Sequence, residues 1–350
     1  MEAHHCKYVL DFKNPSGTSR GVLNSKQSHF IILKEGDSLG IGECGLLKGL
    51  SIDDVTEYQD VLSETCAEIS MGLNTLIKRL QHFPSIQFGL EQAFRSLTAQ
   101  DPFIIFPSSF TEGKSSIPIN GLIWMGEESF LYDQLDQKIA SGFRCIKMKV
   151  GALDFETEVR FLKALRQRYS AKEVELRLDA NGAFDPEDAL DKLTLLSQFH
   201  IHSIEQPIAP GQWDVMASLC KKSTLPIALD EELIGIFGLD RKNAMLEKVR
   251  PQYIILKPSL VGGFGGSQEW IELAKKFGSG WWITSALESN IGLNAIAQWT
   301  CTLNTSVYQG LGTGSLYTNN FESPLEIRQG MLYYDRGKDW PANLIQEVCS

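Results

Sequence analysis

Two hydrophobic rhythms divide the chain. Up to about residue 112, short β-type runs come first and helix-spaced positions follow. The apolar run Phe30 to Leu33 and the segment Leu39 to Glu43 flank Gly36-Asp37, which predicts a hairpin. Residues 53–71 and 87–99 carry apolar positions three and four apart, which predicts helices. Pro102, Pro107 and the stretch SSFTEGKSS then mark a linker. Residues 1–112 are therefore expected to form a small α+β unit.

Beyond the linker, short β-rich runs alternate with amphipathic stretches of helix length. The candidate strands are Ile117–Ile123, Cys145–Val150, Glu173–Asp179, Ile201–Glu205, Ile227–Asp230, Tyr253–Lys257, Trp281–Ser285 and Val307–Leu311. Between them lie segments such as DFETEVRFLKALRQRY, acidic at its start and basic at its end, as a helix dipole favours. Another opens on Asp185-Pro186, an N-cap and N1 pair. Eight β-then-α repeats predict a (β/α)8-type, modified TIM barrel over residues 113–321, with the α+β unit as an N-terminal capping domain. The tail from about 322 to 350 is expected to pack back on that domain. A doubly wound sheet is the alternative, but the first run leads into Asn120-Gly121 with no G-x-G-x-x-G.

Composition agrees with a folded two-domain chain. There are 350 residues, 43% hydrophobic and 22% charged, which argues against disorder, collagen and coiled coil. The net charge of −10 disfavours nucleic acid and anionic membranes as partners. No apolar run is long enough to span a bilayer, and MEAHHCKYVLDF lacks the pattern of a secretory leader. Seven scattered cysteines without a C-x-x-C read as reduced, mostly buried thiols, so a cytoplasmic location is expected. His4, His5 and Cys6 read as a solvated, fraying end. The G-x-S-x-G at Gly17–Gly21 lacks a following helix and reads as a turn, and Gly113-Lys114-Ser115 lacks the first glycine of a P-loop.

The chemistry sits at the strand ends, where a barrel collects its functional groups. In order these are Lys147 and Lys149, Asp179, Glu205, Asp230, Lys257 and Ser285. From Lys149 onward the steps are 30, 26, 25, 27 and 28 residues, each one βα unit. The polar groups thus recur in phase with the strands and should converge on one mouth. Any one acid reads equally well as the cap of the next helix. Three converging carboxylates instead repel strongly unless a cation neutralises them, and a hard oxygen set suits Mg²⁺. Lys147 and Lys149 are two apart, so both face the same side of their strand. Mutual repulsion and a nearby cation would lower a lysine pKa toward the range of a general base.

These motifs resemble the enolase superfamily. The resemblance covers nearly the whole chain. It is carried by GIGE at Gly40–Glu43 and by IKMK, LDANG, IEQP, ALDE and LKPS in the barrel half. The last histidine is His202, before the third acid, so the lysine-based, muconate lactonizing enzyme-like subgroup fits. KPSLVGG at 257–263, SALESNIG at 285–292 and TSRGVLNSK at 18–26 are similar to the o-succinylbenzoate synthase family of menaquinone biosynthesis.

That resemblance implies a Mg²⁺-dependent dehydration through an enediolate, with Mn²⁺ as a substitute ion. It implies Lys149 as the base that abstracts the α-proton and then helps the hydroxyl leave. Lys147 would contact the enediolate, and Lys257 would face the ring from the opposite side. Asp179, Glu205 and Asp230 would be the metal ligands, with Asn181 and Glu231 behind them. Ser285 and the loop with Gly262 and Gly263 would hold the succinyl carboxylate, while Arg20 and Leu46–Leu50 would close over a small carboxylate substrate. An N-succinylamino acid racemase or related epimerase is the rival reading, since Lys149 and Lys257 could serve as two opposed bases. A non-catalytic binding protein is another, although all six charged positions are present. The oligomeric state stays open.

Overall fold

The computed structural model describes residues 1–18, 21–123, 128–151 and 153–349. Strands β1 (Glu2–Thr18), β2 (Gly21–Glu35) and β3 (Ser38–Cys44) form an antiparallel sheet in that order. The predicted turn at Gly36-Asp37 joins β2 to β3, with Glu35 opposite Ser38. Helices α1 (Tyr58–Ala67), α2 (Leu73–Arg79) and α3 (Pro84–Thr98) follow. Alternation along β2 explains both faces of the sheet. Ile31 and Leu33 pack with Leu62, Ile86 and Leu90 of the helices. Phe30 and Ile32 pack on the other side with Ile41, Phe103, Leu344 and Val348. The two glycines of GIGE let α3 lie directly on β3. A Cβ on Gly40 would stand 2.4 Å from the Ala93 carbonyl oxygen, and one on Gly42 1.9 Å from that of Gly89.

The second unit is a barrel of βα repeats. β4 (Ser116–Pro118) precedes it. β5 (Gly121–Ile123) leads to α4 (Glu128–Ala140), β6 (Cys145–Lys149) to α5 (Phe155–Arg168), and β7 (Glu175–Asp179) to α6 (Ala189–Ser197). β8 (Ser203–Glu205) leads to α7 (Trp213–Lys222) and β9 (Ile227–Leu229) to α8 (Leu239–Val249). β10 (Tyr253–Leu256) leads to α9 (Pro258–Val261) and α10 (Gly263–Phe277), and β11 (Gly280–Ile283) to α11 (Asn290–Thr302). β5 to β11 form one parallel sheet in chain order.

The eighth predicted strand, Val307–Leu311, contracts to two bridges, Ile119–Gln309 and Thr284–Gly310. Those bridges are enough to close the barrel. Asn120 N donates to the Gln309 carbonyl at 3.0 Å and Gly310 N to that of Ile283 at 2.8 Å. A Cβ at Gly310 would run into the Thr284 side chain, so glycine there permits the bridge. The architecture is a (β/α)8-type barrel with an N-terminal α+β cap.

After the barrel, β12 (Leu325–Arg328) and β13 (Met331–Tyr334) pair antiparallel, and β13 adds to β4. The helix α12 (Leu344–Glu347) then reaches the N-terminal sheet. Two sequence expectations fail here. His4–Cys6 is not a frayed end but part of β1, paired with Phe30–Ile32 of β2. Nor are all cysteines free thiols: Cys6 and Cys349 form a disulfide across 343 positions. Spacing along the chain carries no trace of that pairing, because folding alone brings the two ends together. Among the described residues, no helix is long and apolar enough to cross a membrane.

Candidate active site

Parallel pairing sets the strand ends level with one another. Lys149 lies opposite Asp179 in the β6–β7 register, and Asp179 opposite Glu205 in the β7–β8 register. Asp230 follows β9 directly, and Lys257 follows β10. The turn holding Asp230 is braced by Gln206, whose side-chain oxygen accepts from Asp230 N at 3.3 Å and Glu232 N at 3.1 Å. Gln206 directly follows a barrel-end acid, and an amide there is the sequence signal of such bracing.

Asp179, Glu205 and Asp230 are buried, with the lysine ammonium groups among them. Lys147 Nζ lies 2.9 Å from Asp179 Oδ2 and 2.6 Å from Glu205 Oε2. Lys149 Nζ lies 3.2 Å from Asp179 Oδ2 and also donates to Asn181 Oδ1. Lys257 Nζ pairs with Asp230 Oδ2. Asn181, in a left-handed conformation with φ 44°, passes the contact on, donating to Glu231 Oε1 at 2.9 Å.

Charge balance follows from this interleaving. Burial opposes the charge on Lys147, but Asp179, Glu205 and Asp230 outweigh it and hold that ammonium well above its usual pKa. Lys257 is raised in the same way, against burial, by Asp230, Glu231 and Glu205. At Lys257 these acids outweigh the repulsion from Lys147. Burial would raise Asp179, yet Lys147 and Lys149 hold it below the usual carboxylate range. Glu205 goes the other way, raised by burial and by the charge on Asp179. Burial and the Asp230 charge raise Glu231 as well.

The donor set fits a hard divalent cation. It offers three buried carboxylates, and Glu205 Oε1 is buried without a hydrogen-bond partner among the described residues. Among the described residues, no three acids are drawn together into a ready cage. The lysines stand between the carboxylates and satisfy part of their charge.

A cavity of about 890 Å³ opens over these groups. Lys147, Lys149, Asp179, Asn181, Glu231 and Lys257 line its floor. Leu23, Leu47 and Leu50 of the cap line its roof, and Thr284–Leu287 with the 310–316 segment form a wall. Ser285 is on that wall, but its hydroxyl proton is committed to Glu288 Oε2 at 2.7 Å. Its oxygen accepts from Leu287 N at 2.9 Å and Thr313 Oγ1 at 2.8 Å. Ser285 therefore shapes the wall rather than presenting a free donor.

Gly262 and Gly263 are not brought to the cavity. They make the left-handed turn between α9 and α10, with φ 97° and 72°. They face α3 instead: a Cβ on Gly263 would stand 2.2 Å from Glu91 Oε2. The Glu91 carboxylate takes the N–H groups of Phe264, at 2.5 Å, and Gly265, at 3.1 Å. An internal carboxylate thus occupies the helix start expected to hold a substrate carboxylate. Arg20 lies outside the described residues. Thr313 and Glu288 fix the Ser285 hydroxyl, a role that strand-end spacing does not single out.

Residues 131–338 match the family model described as enolase C-terminal domain-like. An o-succinylbenzoate synthase from Desulfotalea psychrophila is 45% identical, over 95% of this chain and 98% of that protein. The crystal structure of MenC from Desulfotalea psychrophila LSv54 superposes with a TM-score of 0.86 at 42% identity, covering 95% and 99% of the two chains. A muconate lactonizing enzyme from Pseudomonas fluorescens, 19% identical over 95% and 93% of the chains, shares the fold with a TM-score of 0.82. With this fold, and with similarity running the length of both chains, the chain belongs to the enolase superfamily and, within it, to the o-succinylbenzoate synthases, a family of lyases.

Proposed function

We propose that this chain dehydrates 2-succinyl-6-hydroxy-2,4-cyclohexadiene-1-carboxylate (SHCHC) to o-succinylbenzoate, by lysine-catalysed removal of the α-proton. The observation that carries the reading is Lys149, which points into the cavity beside three buried carboxylates with Lys257 across the floor. Asp179, Glu205 and Asp230 would hold Mg²⁺, or Mn²⁺ in its place. Bound there, the ion would neutralise these acids and draw electron density from the substrate carboxylate.

Lys149, as the free amine, takes the proton from the ring carbon next to the carboxylate, and the C–H electron pair becomes the enediolate. Asp179 and Asn181 fix the direction of its Nζ. Lys147 sets a positive charge against the enediolate oxygens. The protonated Lys149 then returns the proton to the departing hydroxyl, so water leaves and the ring becomes aromatic. Lys257 places a second cation against the delocalised anion. The leucines of the roof exclude water from the reacting face.

The test follows ultraviolet absorbance as SHCHC is consumed by purified protein with Mg²⁺, with a chelator control. Fast, chelator-sensitive loss is expected. No loss from folded, Mg²⁺-binding protein would overturn the dehydration. The assay would then move to α-proton exchange of N-succinylamino acids and dipeptides in deuterated water, the signature of the racemase reading.

A further inference from the structure

Two carboxylates that the proposed mechanism does not use are wholly buried, Glu43 at 0% exposure and Glu288 at 0%. A buried charge is costly unless donors meet it. Glu43 is the last but one residue of β3 in the cap, and its donors come largely from the barrel. Its Oε1 accepts from Ser28 Oγ at 2.7 Å and Ser289 N at 3.0 Å. Its Oε2 accepts from Ser289 Oγ at 2.5 Å and Gly292 N at 3.0 Å. Lys26 Nζ stands 3.8 Å away. Glu43 therefore docks the cap hairpin onto the start of α11, where backbone N–H groups lack partners within the helix.

Glu288 does the corresponding work inside the barrel. It accepts from Ser259 Oγ, from Ser285 Oγ at 2.7 Å and from Ala286 N at 2.7 Å. The two acids share one glycine-lined seam. A Cβ on Gly292 would stand 2.8 Å from Glu43 Oε2 and 2.9 Å from Glu288 Cβ. Between Ser285 and Ser289 the chain passes through Leu287, held left-handed at φ 63° with its carbonyl accepting from Tyr317 OH at 2.7 Å. A non-glycine residue keeps that conformation only where its surroundings over-determine it. Thr284–Leu287 is also the cavity wall.

We propose that Glu43 and Glu288 are positioning residues: a two-carboxylate latch that ties the cap to the barrel and sets the wall against which the substrate's succinyl arm lies. The choice of substrate rests on the proposed function, but the latch does not. Among the described residues, every partner of the Glu43 carboxylate is a donor or a cation, so an amide there would set N–H against N–H.

The experiment compares wild type with Glu43→Gln and Ser289→Ala. In Glu43→Gln, KM for SHCHC rises about tenfold while kcat falls less than about threefold and Mg²⁺ affinity is kept. Backbone amides of residues 285–292 exchange about tenfold faster in native-state hydrogen exchange. Ser289→Ala, which removes one donor and keeps the backbone contacts, shows the same signs with smaller size. It also stands as the test should Glu43→Gln not fold. An unchanged KM with wild-type exchange at 285–292 overturns the latch, as does a fall in kcat and melting temperature with KM unmoved. If wild type leaves SHCHC unconsumed, the proposed function fails, and the exchange measurement alone decides the latch.

Discussion

Asn181 joins Lys149 to Glu231: its side-chain oxygen accepts from Lys149 Nζ, and its amide donates to Glu231 Oε1 at 2.9 Å. One side chain thus links the loops after β7 and β9 and fixes where the lysine on β6 points. The other acceptor of Lys149 is Asp179, on the neighbouring strand. Held from two sides, the proposed base has little freedom to miss the proton it would take.

Lys149→Ala should therefore lower turnover by about a thousandfold, the usual order for general acid–base catalysis. The circular dichroism spectrum and Mg²⁺ affinity should be retained. A near-normal rate would remove Lys149 from the role of base.

Glu205→Gln should weaken Mg²⁺ binding by about tenfold or more. Glu205 Oε1 is buried with no hydrogen-bond partner among the described residues, so a ligand is the natural use for it. Titration calorimetry measures this directly. Wild-type affinity in the variant would take Glu205 out of the ligand set.

Glu91 predicts a pH-dependent stability. Burial pushes its carboxyl up to about 7, against the lowering effect of the Phe264 and Gly265 N–H groups and Arg95. A carboxyl raised on folding holds its proton better in the folded state than in the unfolded one. Its contribution is fully present below the ordinary carboxylate range and is lost as pH rises through about 7. Glu91→Gln keeps an acceptor for those N–H groups without the charge. The margin of the variant over wild type should therefore grow by about 2 kcal/mol between pH 5 and pH 8. Denaturant melts at the two pH values check this, and an equal difference at both would contradict it.

The disulfide between Cys6 and Cys349 leaves five free cysteines, at 44, 66, 145, 220 and 301. Unreduced, denatured protein should titrate as five thiols rather than seven. Cys6→Ser should lower unfolding stability by about 2–4 kcal/mol, because the link restrains both ends of the unfolded chain. Seven titratable thiols would show the pair to be reduced.

Some of this molecule could be read from residue order alone. Lys149, Asp179, Glu205, Asp230 and Lys257 recur once per βα unit, and parallel strands started in register must bring such positions to one end. The strand alternation of Phe30–Leu33 likewise dictated two buried faces. Local rules suffice there, because side-chain direction follows from a period of two and strand spacing from a repeated unit.

Other features required the fold. Gly262 and Gly263 look in sequence like an anion cradle, yet α3 delivers Glu91 to that place from 173 positions away. Ser285 looks like a free donor until Glu288 takes its proton. Glu43 meets Ser289 across 246 positions, and Cys6 meets Cys349 across 343. The sequence by itself determined the barrel, the cap and the ring of charged strand ends, since each depends on periodicity along the chain. Only the tertiary structure decided which of those polar groups remain free to act. A hydrogen bond or disulfide between distant segments depends on where packing sets them, and no spacing along the chain records that.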